Sequence, residues 1–223
     1  MVDFVAGLKR PFQDIKTLVI GIILGMIPFV SALTLPGFGL RAAERTLKGD
    51  NKLPDWFENI GDVIIKSVMS IVISLIYMLP ALIVLVAVIV MFAANLLGTL
   101  TAAISGGTFD YTALMAALGP MLMYFAVVIV LLLIAVFLLP SALMHYLIRS
   151  KFSAAFSFGS VIKKALTMKY IVACIFSIIL YILLMIVVGI LSLIPVAGTL
   201  IGSGFMMYVI PVAEYTWFAE ACK

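Results

Sequence analysis

The stretch IPFVSALTLPGFGLR, residues 27–41, decides how this chain is laid out. It carries Pro28, Pro36, Gly37 and Gly39, and it opens from an apolar run straight into the charge of Arg41. If residues 17–40 cross a membrane as one kinked helix, the flanks lie on opposite sides. If the segment dips in and returns at its prolines, both flanks lie on the same side. Pro28 and Pro36 each remove a backbone donor and favour a bend. Each arm of 11 or 12 residues would cover about half of the hydrocarbon thickness.

A membrane is implied by composition. The chain has 223 residues, 65% hydrophobic and 11% charged, with mean hydropathy +1.32. Soluble domains run at about 45–50% apolar and about 25% charged. A soluble fold of this size has no place for that excess, so the sequence reads as an all-α, polytopic membrane protein forming one domain over residues 1–223. No Asp, Glu, Lys or Arg occurs in 67–108, 111–146 or 170–213. A span takes about 20 apolar residues, which predicts full spans at 67–95, 120–146, 170–193 and 197–216. The last two are joined by a tight turn at Pro195.

Between them the pattern predicts amphipathic interfacial helices. Residues 1–16 place Phe4, Val5, Leu8, Phe12 and Ile15 at three- and four-residue steps among charges, with a break at Pro11. Residues 41–52 read as a short charged helix stopped at Gly49. Residues 53–66 read as a second helix capped by Asp55, with Glu58 three residues on. The link 96–119 reads as a loop with a short helix at 111–118, and Pro120 suits the first turn of the next span. Residues 147–169 form another basic interfacial segment. Pro80 and Pro140 place bends inside two spans. Lys9, Arg10 and Lys16 ahead of an apolar run also resemble a signal peptide, but an amphipathic n-region argues against one.

The cations fix sidedness. Three stand in 1–16, five in 41–66, five in 147–169, and the last is Lys223: fourteen in all. The links at 96–119 and 194–199 have none. Because cytoplasmic loops are enriched in Lys and Arg, the basic segments are expected in the cytoplasm of a multi-pass cell-membrane protein. A returning 17–40 obeys that rule everywhere, whereas a crossing one does not. The echo between 27–33 (IPFVSAL) and 194–200 (IPVAGTL) suggests two related bends, each near a small-xxx-small pair: Gly21 with Gly25, and Gly198 with Gly202.

Candidate chemistry is sparse. By this topology Glu214 lies level with Arg41, Arg45, His145 and Arg149, and Glu44 precedes Arg45 by one residue. These six form a candidate polar cluster, with an ion pair between Glu214 and an arginine as its first expectation. A lone His145 has no partner ligand for a metal. Asp110 reads as a loop residue rather than an intramembrane acid. Cys174 and Cys222 suggest no disulfide framework. Trp56, Trp217, Tyr170 and Tyr215 fall at the spans' ends, as belt residues do. Phosphate loops, zinc-protease motifs and nucleophile elbows are missing from the sequence. No cofactor, no metal and no nucleic-acid partner is expected; the net charge of +4 suits anionic lipid headgroups.

The residues Ile27-Pro28, Gly37-Phe38-Gly39-Leu40-Arg41, Gly49-Asp50, Leu53-Pro54-Asp55-Trp56, Tyr77, Leu79-Pro80-Ala81 and Ile194-Pro195 carry a resemblance. The chain resembles the archaeal and bacterial family of polytopic membrane proteins called domain of unknown function four thousand and thirteen. The resemblance implies a helical membrane fold and an archaeal source, and it brings no activity. The sequence therefore points first to a non-enzymatic organiser, anchor, bilayer-shaping protein or subunit of a membrane complex, in contact with lipid and with a homo-oligomeric or complex partner. A small permease or channel using Pro-bent helices, and a membrane enzyme acting on a lipid-like substrate, are the alternatives.

Overall fold

A computed structural model describes residues 2–106 and 111–223. Among these the structure is helical, without strands, and four helices are long and apolar enough to cross a membrane. The chain divides into two compact units, residues 1–73 with 138–223, and residues 74–137.

The first unit is built around α8 (Ala197–Cys222), whose buried residues run from Gly198 to Cys222 on several faces. α1 (Phe4–Lys9) starts at Asp3, whose carboxylate accepts from the Ala6 N–H. A 3-10 turn at Arg10–Phe12 follows, then α2 (Ile15–Gly25), capped by the Asp14 carboxylate. α3 (Pro28–Leu47) begins on Pro28, where a missing N–H costs nothing. Its C-terminus is a Schellman motif: the Asp50 N–H reaches the Arg45 carbonyl at 2.9 Å and the Gly49 N–H reaches Thr46 at 2.9 Å. Gly49 adopts φ +85° there, a conformation that favours glycine.

The segment 17–40 is thus two helices rather than one. Gly7 faces Trp217, Gly21 faces Tyr208 and Gly25 faces Gly204, so α2 runs antiparallel to α8. Phe38 lies beside Tyr208 and Thr46 beside Thr216 (both touch Arg10), so α3 runs parallel to α8. α2 and α3 therefore form a helical hairpin whose turn, Met26-Ile27, lies against Gly204 and whose open end lies near Thr216. A Cβ on Gly25 would stand 2.8 Å from the Gly204 Cα, so the hairpin's turn meets α8 backbone to backbone. The second small pair is used as well, since Gly198 and Gly202 face Leu191 and Val188 of α7 (Met168–Leu191).

The prolines behave differently from one another. Pro28 begins a helix after the chain reverses, and Pro195 lies in the turn before α8, where Val196 has φ 61°. Pro36, Pro80, Pro120 and Pro140 all lie inside continuous helices. At two of them the next N–H is taken by a neighbouring helix: Gly37 donates to Ser67 Oγ at 2.7 Å, and Ser141 donates to Tyr170 Oη at 3.2 Å. Such side chains are what let a proline sit inside a packed helix.

Other expected boundaries move. The charged helix at 41–52 is the end of α3. The helix placed at Asp55 begins instead at Ile60, with the Asn59 carboxamide accepting from the Asp62 N–H at 3.1 Å. Asp55 closes a local turn onto the Phe57 N–H. What displaces the start is Trp56, buried and stacked on Phe38 at 3.9 Å, which holds 53–59 against α3. Residues 147–169 contain a 3-10 turn at Phe152–Phe156 and the short α6 (Phe158–Ala165). α6 buries Val161 and Ala165 and exposes Phe158, Ile162 and Leu166.

The second unit consists of the C-terminal part of α4 (Ile60–Ile104) and the N-terminal part of α5 (Tyr111–Arg149). Its buried positions include Tyr77, Ala81 and Val88 on one helix and Val128 and Ala135 on the other, steps of four and seven residues that keep one seam facing its partner. The loop expected at 96–119 shrinks, because both helices extend into it. Thr101 and Ser105 direct their hydroxyls back to the Leu97 and Thr101 carbonyls, which removes the usual competition of such groups with the helix.

Candidate functional site

The open end of the α2–α3 hairpin gathers the charges of the first unit. α3 presents Arg41, Glu44, Arg45 and Lys48 at helical spacing, and the start of α4 presents Asp62 and Lys66. Glu58, in the stretch between, bonds Arg45 at 2.6 Å and Arg41 at 3.5 Å. Asp62 bonds Arg41 at 3.3 Å and Lys66 at 2.6 Å. Lys66 returns to Glu44 at 2.5 Å, and Lys48 reaches the same carboxylate at 2.7 Å. Burial opposes the charge on Glu44, but the hydrogen bonds from Lys48 and Lys66 outweigh it and hold the carboxyl below its ordinary range. Arg45 also donates to the Leu53 carbonyl at 2.9 Å. The network therefore straps residues 50–60 to both helices.

Below it lies a second arginine site. Arg10 is 1% exposed. Its Nη1 donates to Thr46 Oγ1, and to Thr216 Oγ1 at 3.2 Å; its Nη2 donates to the carbonyls of Lys52 at 3.1 Å and Asp50 at 3.3 Å. Burial pulls its pKa down to about 10, against the pull of Asp50 and Glu220, so it is charged at neutral pH. One guanidinium thus joins the N-terminal segment, α3, the following loop and α8. The Trp56 Nε1–H completes the tie by donating to the Thr17 carbonyl at 3.0 Å.

Of the six residues expected to cluster, the structure brings Arg41, Glu44 and Arg45 together. Their acids are Glu58 and Asp62, not Glu214. Glu214 is half-buried on α8, and among the described residues no cation pairs with it. Its electrostatic neighbours include Tyr170, Cys174, Tyr181 and Tyr215. His145 Nδ1 contacts the Ser141 carbonyl at 2.8 Å, within its own helix. Arg149 is exposed at the end of α5. Asp110 lies outside the described residues. Among the described residues, no group of three acids, histidines or cysteines is placed to hold a metal. Arg10 is the residue that sequence reasoning missed; its signal is a cation directly before Pro11, in a turn too tight to hold a solvated face.

A family model described as a protein of unknown function (DUF4013) matches residues 20–193. The chain belongs to the DUF4013 family. The DUF4013 match starts inside α2 and ends just past α7, so it holds the hairpin's turn, the charged strap and both long helices. Comparison with curated proteins and with solved structures gives no match.

Proposed function

We propose that this DUF4013 protein is a non-enzymatic, multi-pass membrane protein that shapes or organises the bilayer, with α2–α3 inserted as a re-entrant wedge from the cytoplasmic face. One observation carries the reading: the hairpin turns round at Gly204, part-way along α8, with its apolar side chains outward. Ile23, Ile27 and Phe29 at the turn are 55%, 49% and 76% exposed. In water each would forgo about 1.5–3 kcal/mol of burial; in hydrocarbon they are at home. The 11 residues of α2 reach about 16 Å, half of a hydrocarbon core of about 30 Å. The turn suits lipid: the Met26 and Ile27 N–H groups are bonded to Ile22 and Leu24, and Pro28 has none to lose.

Two further stripes lie toward the same end of α8. α1 and its continuation expose Val5, Leu8, Phe12 and Ile15, and α6 exposes Phe158, Ile162 and Leu166. All would occupy area in one leaflet and leave the other unexpanded, which favours curvature. With the N-terminal segment and 41–66 joined through Arg10, the fourteen cations fall on one face, as the positive-inside rule asks.

The test is reconstitution in neutral phosphatidylcholine vesicles, imaged by electron cryomicroscopy. Narrow tubules or small vesicles are expected at high protein density. The variant Ile23→Ser/Ile27→Ser/Phe29→Ser should leave vesicles spherical. Spherical vesicles with the unaltered protein at every density would overturn the proposal.

A further inference from the structure

The segment between α5 and α7 carries positive charge that nothing nearby balances. It holds Arg149, Lys151, Lys163, Lys164 and Lys169, and no Asp or Glu occurs from 111 to 213. Among the described residues none of these five cations forms an ion pair. Four of them are exposed and Lys164 is half-buried. The strap at 41–66 approaches the end of α5, where Glu44 and Lys48 share a cavity with Leu147 and Ile148. It sets Arg41, Arg45, Lys48 and Lys66 against Glu44, Glu58 and Asp62, so it brings no net negative charge. Glu220 of α8 acts on Arg10 and accepts the Asp3 N–H. No cation bears on Glu214.

α6 shows which way this charge faces. Phe158, Val161, Ile162, Ala165 and, just past its end, Leu166 recur at three- and four-residue steps and share one side of the helix. The protein covers only half of that side. Val161 and Ala165 are fully buried, and the Val161 carbonyl accepts from the Ser141 hydroxyl of α5 at 3.0 Å. Phe158, Ile162 and Leu166 form a stripe beside them that is 54%, 42% and 65% exposed. At about 100° per residue, Lys163 borders this stripe on its outer edge and Lys164 lies across the polar side. Met168, 75% exposed, and Lys169 repeat the pairing of apolar and basic groups where α7 begins. An apolar stripe edged by lysines is the pattern of a helix lying in the membrane surface.

We infer that the outer face of α6 docks on anionic phospholipid headgroups. The stripe enters the boundary of the acyl chains, and Lys163, Lys164 and Lys169 gather negatively charged headgroups around it. A neutral lipid would serve the stripe equally well. What selects an anionic one is five cations in a segment that has no acid of its own. The inference rests on the membrane placement proposed above and adds the headgroup chemistry of one of its surface stripes.

The test places a bimane fluorophore on Ile162→Cys, in a chain with Cys174 and Cys222 changed to Ala, reconstituted in phosphatidylcholine vesicles. Nitroxide-labelled phosphatidylglycerol or nitroxide-labelled phosphatidylcholine is then added in increasing mole fraction. Phosphatidylglycerol is expected to reach half-quenching at about fivefold lower mole fraction, the preference typical of a lysine near an anionic surface. Lys163→Gln/Lys164→Gln should bring the two curves together. The control Lys9→Gln/Lys16→Gln, which removes equal charge elsewhere, should keep them apart. Strong but equal quenching by the two lipids, or a gap that survives Lys163→Gln/Lys164→Gln unchanged, would overturn the headgroup preference and leave the membrane placement standing. Weak quenching by both would overturn the placement of α6 itself. The curvature test uses neutral lipid alone, so its outcome is independent of this preference.

Discussion

Arg10 shows how one residue can be misread from its neighbours. Between Lys9 and Gln13 it looks like part of a solvated face; in the folded chain it is among the largest fully buried side chains. It has no carboxylate partner within its site and relies on two hydroxyls and two carbonyls. Burying a charge is costly, so here those acceptors must offset it. Removing the guanidinium would leave the Asp50 and Lys52 carbonyls short of a donor, at about 1–3 kcal/mol for each buried group left unmatched. Arg10→Met is therefore expected to lower stability by about 2–4 kcal/mol, read as the midpoint of reversible unfolding in mixed micelles. A variant as stable as the parent would show that the four acceptors find other partners. Glu58 carries the opposite lesson. Its spacing from Asp55 satisfies a capping box, yet two arginines one helical turn apart on α3 attract it more strongly than the Asp55 N–H does.

At the level of elements, the chain reversal in 17–40 was legible as one of two alternatives, because Pro28 and the small-xxx-small glycines precede any knowledge of packing. What distinguishes the alternatives is contact with α8, which no local pattern contains. The glycines give a direct check. A Cβ at Gly25 collides with Gly204 backbone, whereas one at Gly98 meets nothing within 4 Å. Gly25→Ala is expected to destabilise by about 1–3 kcal/mol, while Gly98→Ala should be neutral or stabilise by about 0.5–1 kcal/mol through helix propensity; unfolding midpoints of the pair decide it. The link at 96–119 was misread for the converse reason. Its Gly, Thr and Ser content is that of a loop, but its hydroxyls bond back along the helix, and 96–104 continue α4. Pro36, Pro80 and Pro140 likewise mark expected bends and lie in unbroken helices; at Pro36 and Pro140, Ser67 and Tyr170 supply acceptors that single-helix rules omit.

For the whole molecule, the all-helical class and the four helices long and apolar enough to cross a membrane follow from hydropathy alone. Of the strap, Arg41, Glu44 and Arg45 were expected to cluster but their partners Glu58 and Asp62 were not, and the Arg10 site was not anticipated because it joins residues as far apart as Arg10 and Thr216. Single cysteines replacing Lys9 and Lys52, in a chain with Cys174 and Cys222 changed to Ala, are expected to react with an impermeant maleimide from the same side of sealed vesicles. Labelling from opposite sides would rule out the re-entrant hairpin. One consequence of the packing on α8 concerns the order in which the protein is made. The ribosome releases α1, α2 and α3 well before α8, which follows α7 in the chain. Through most of synthesis the hairpin therefore has Gly25, Gly37 and Gly39 aimed at partners not all yet made. Until α8 is made, Gly25 and Gly39 lack the backbone they pack against, so a chain cut short ahead of residue 197 is expected to leave the packing face of its N-terminal third uncovered.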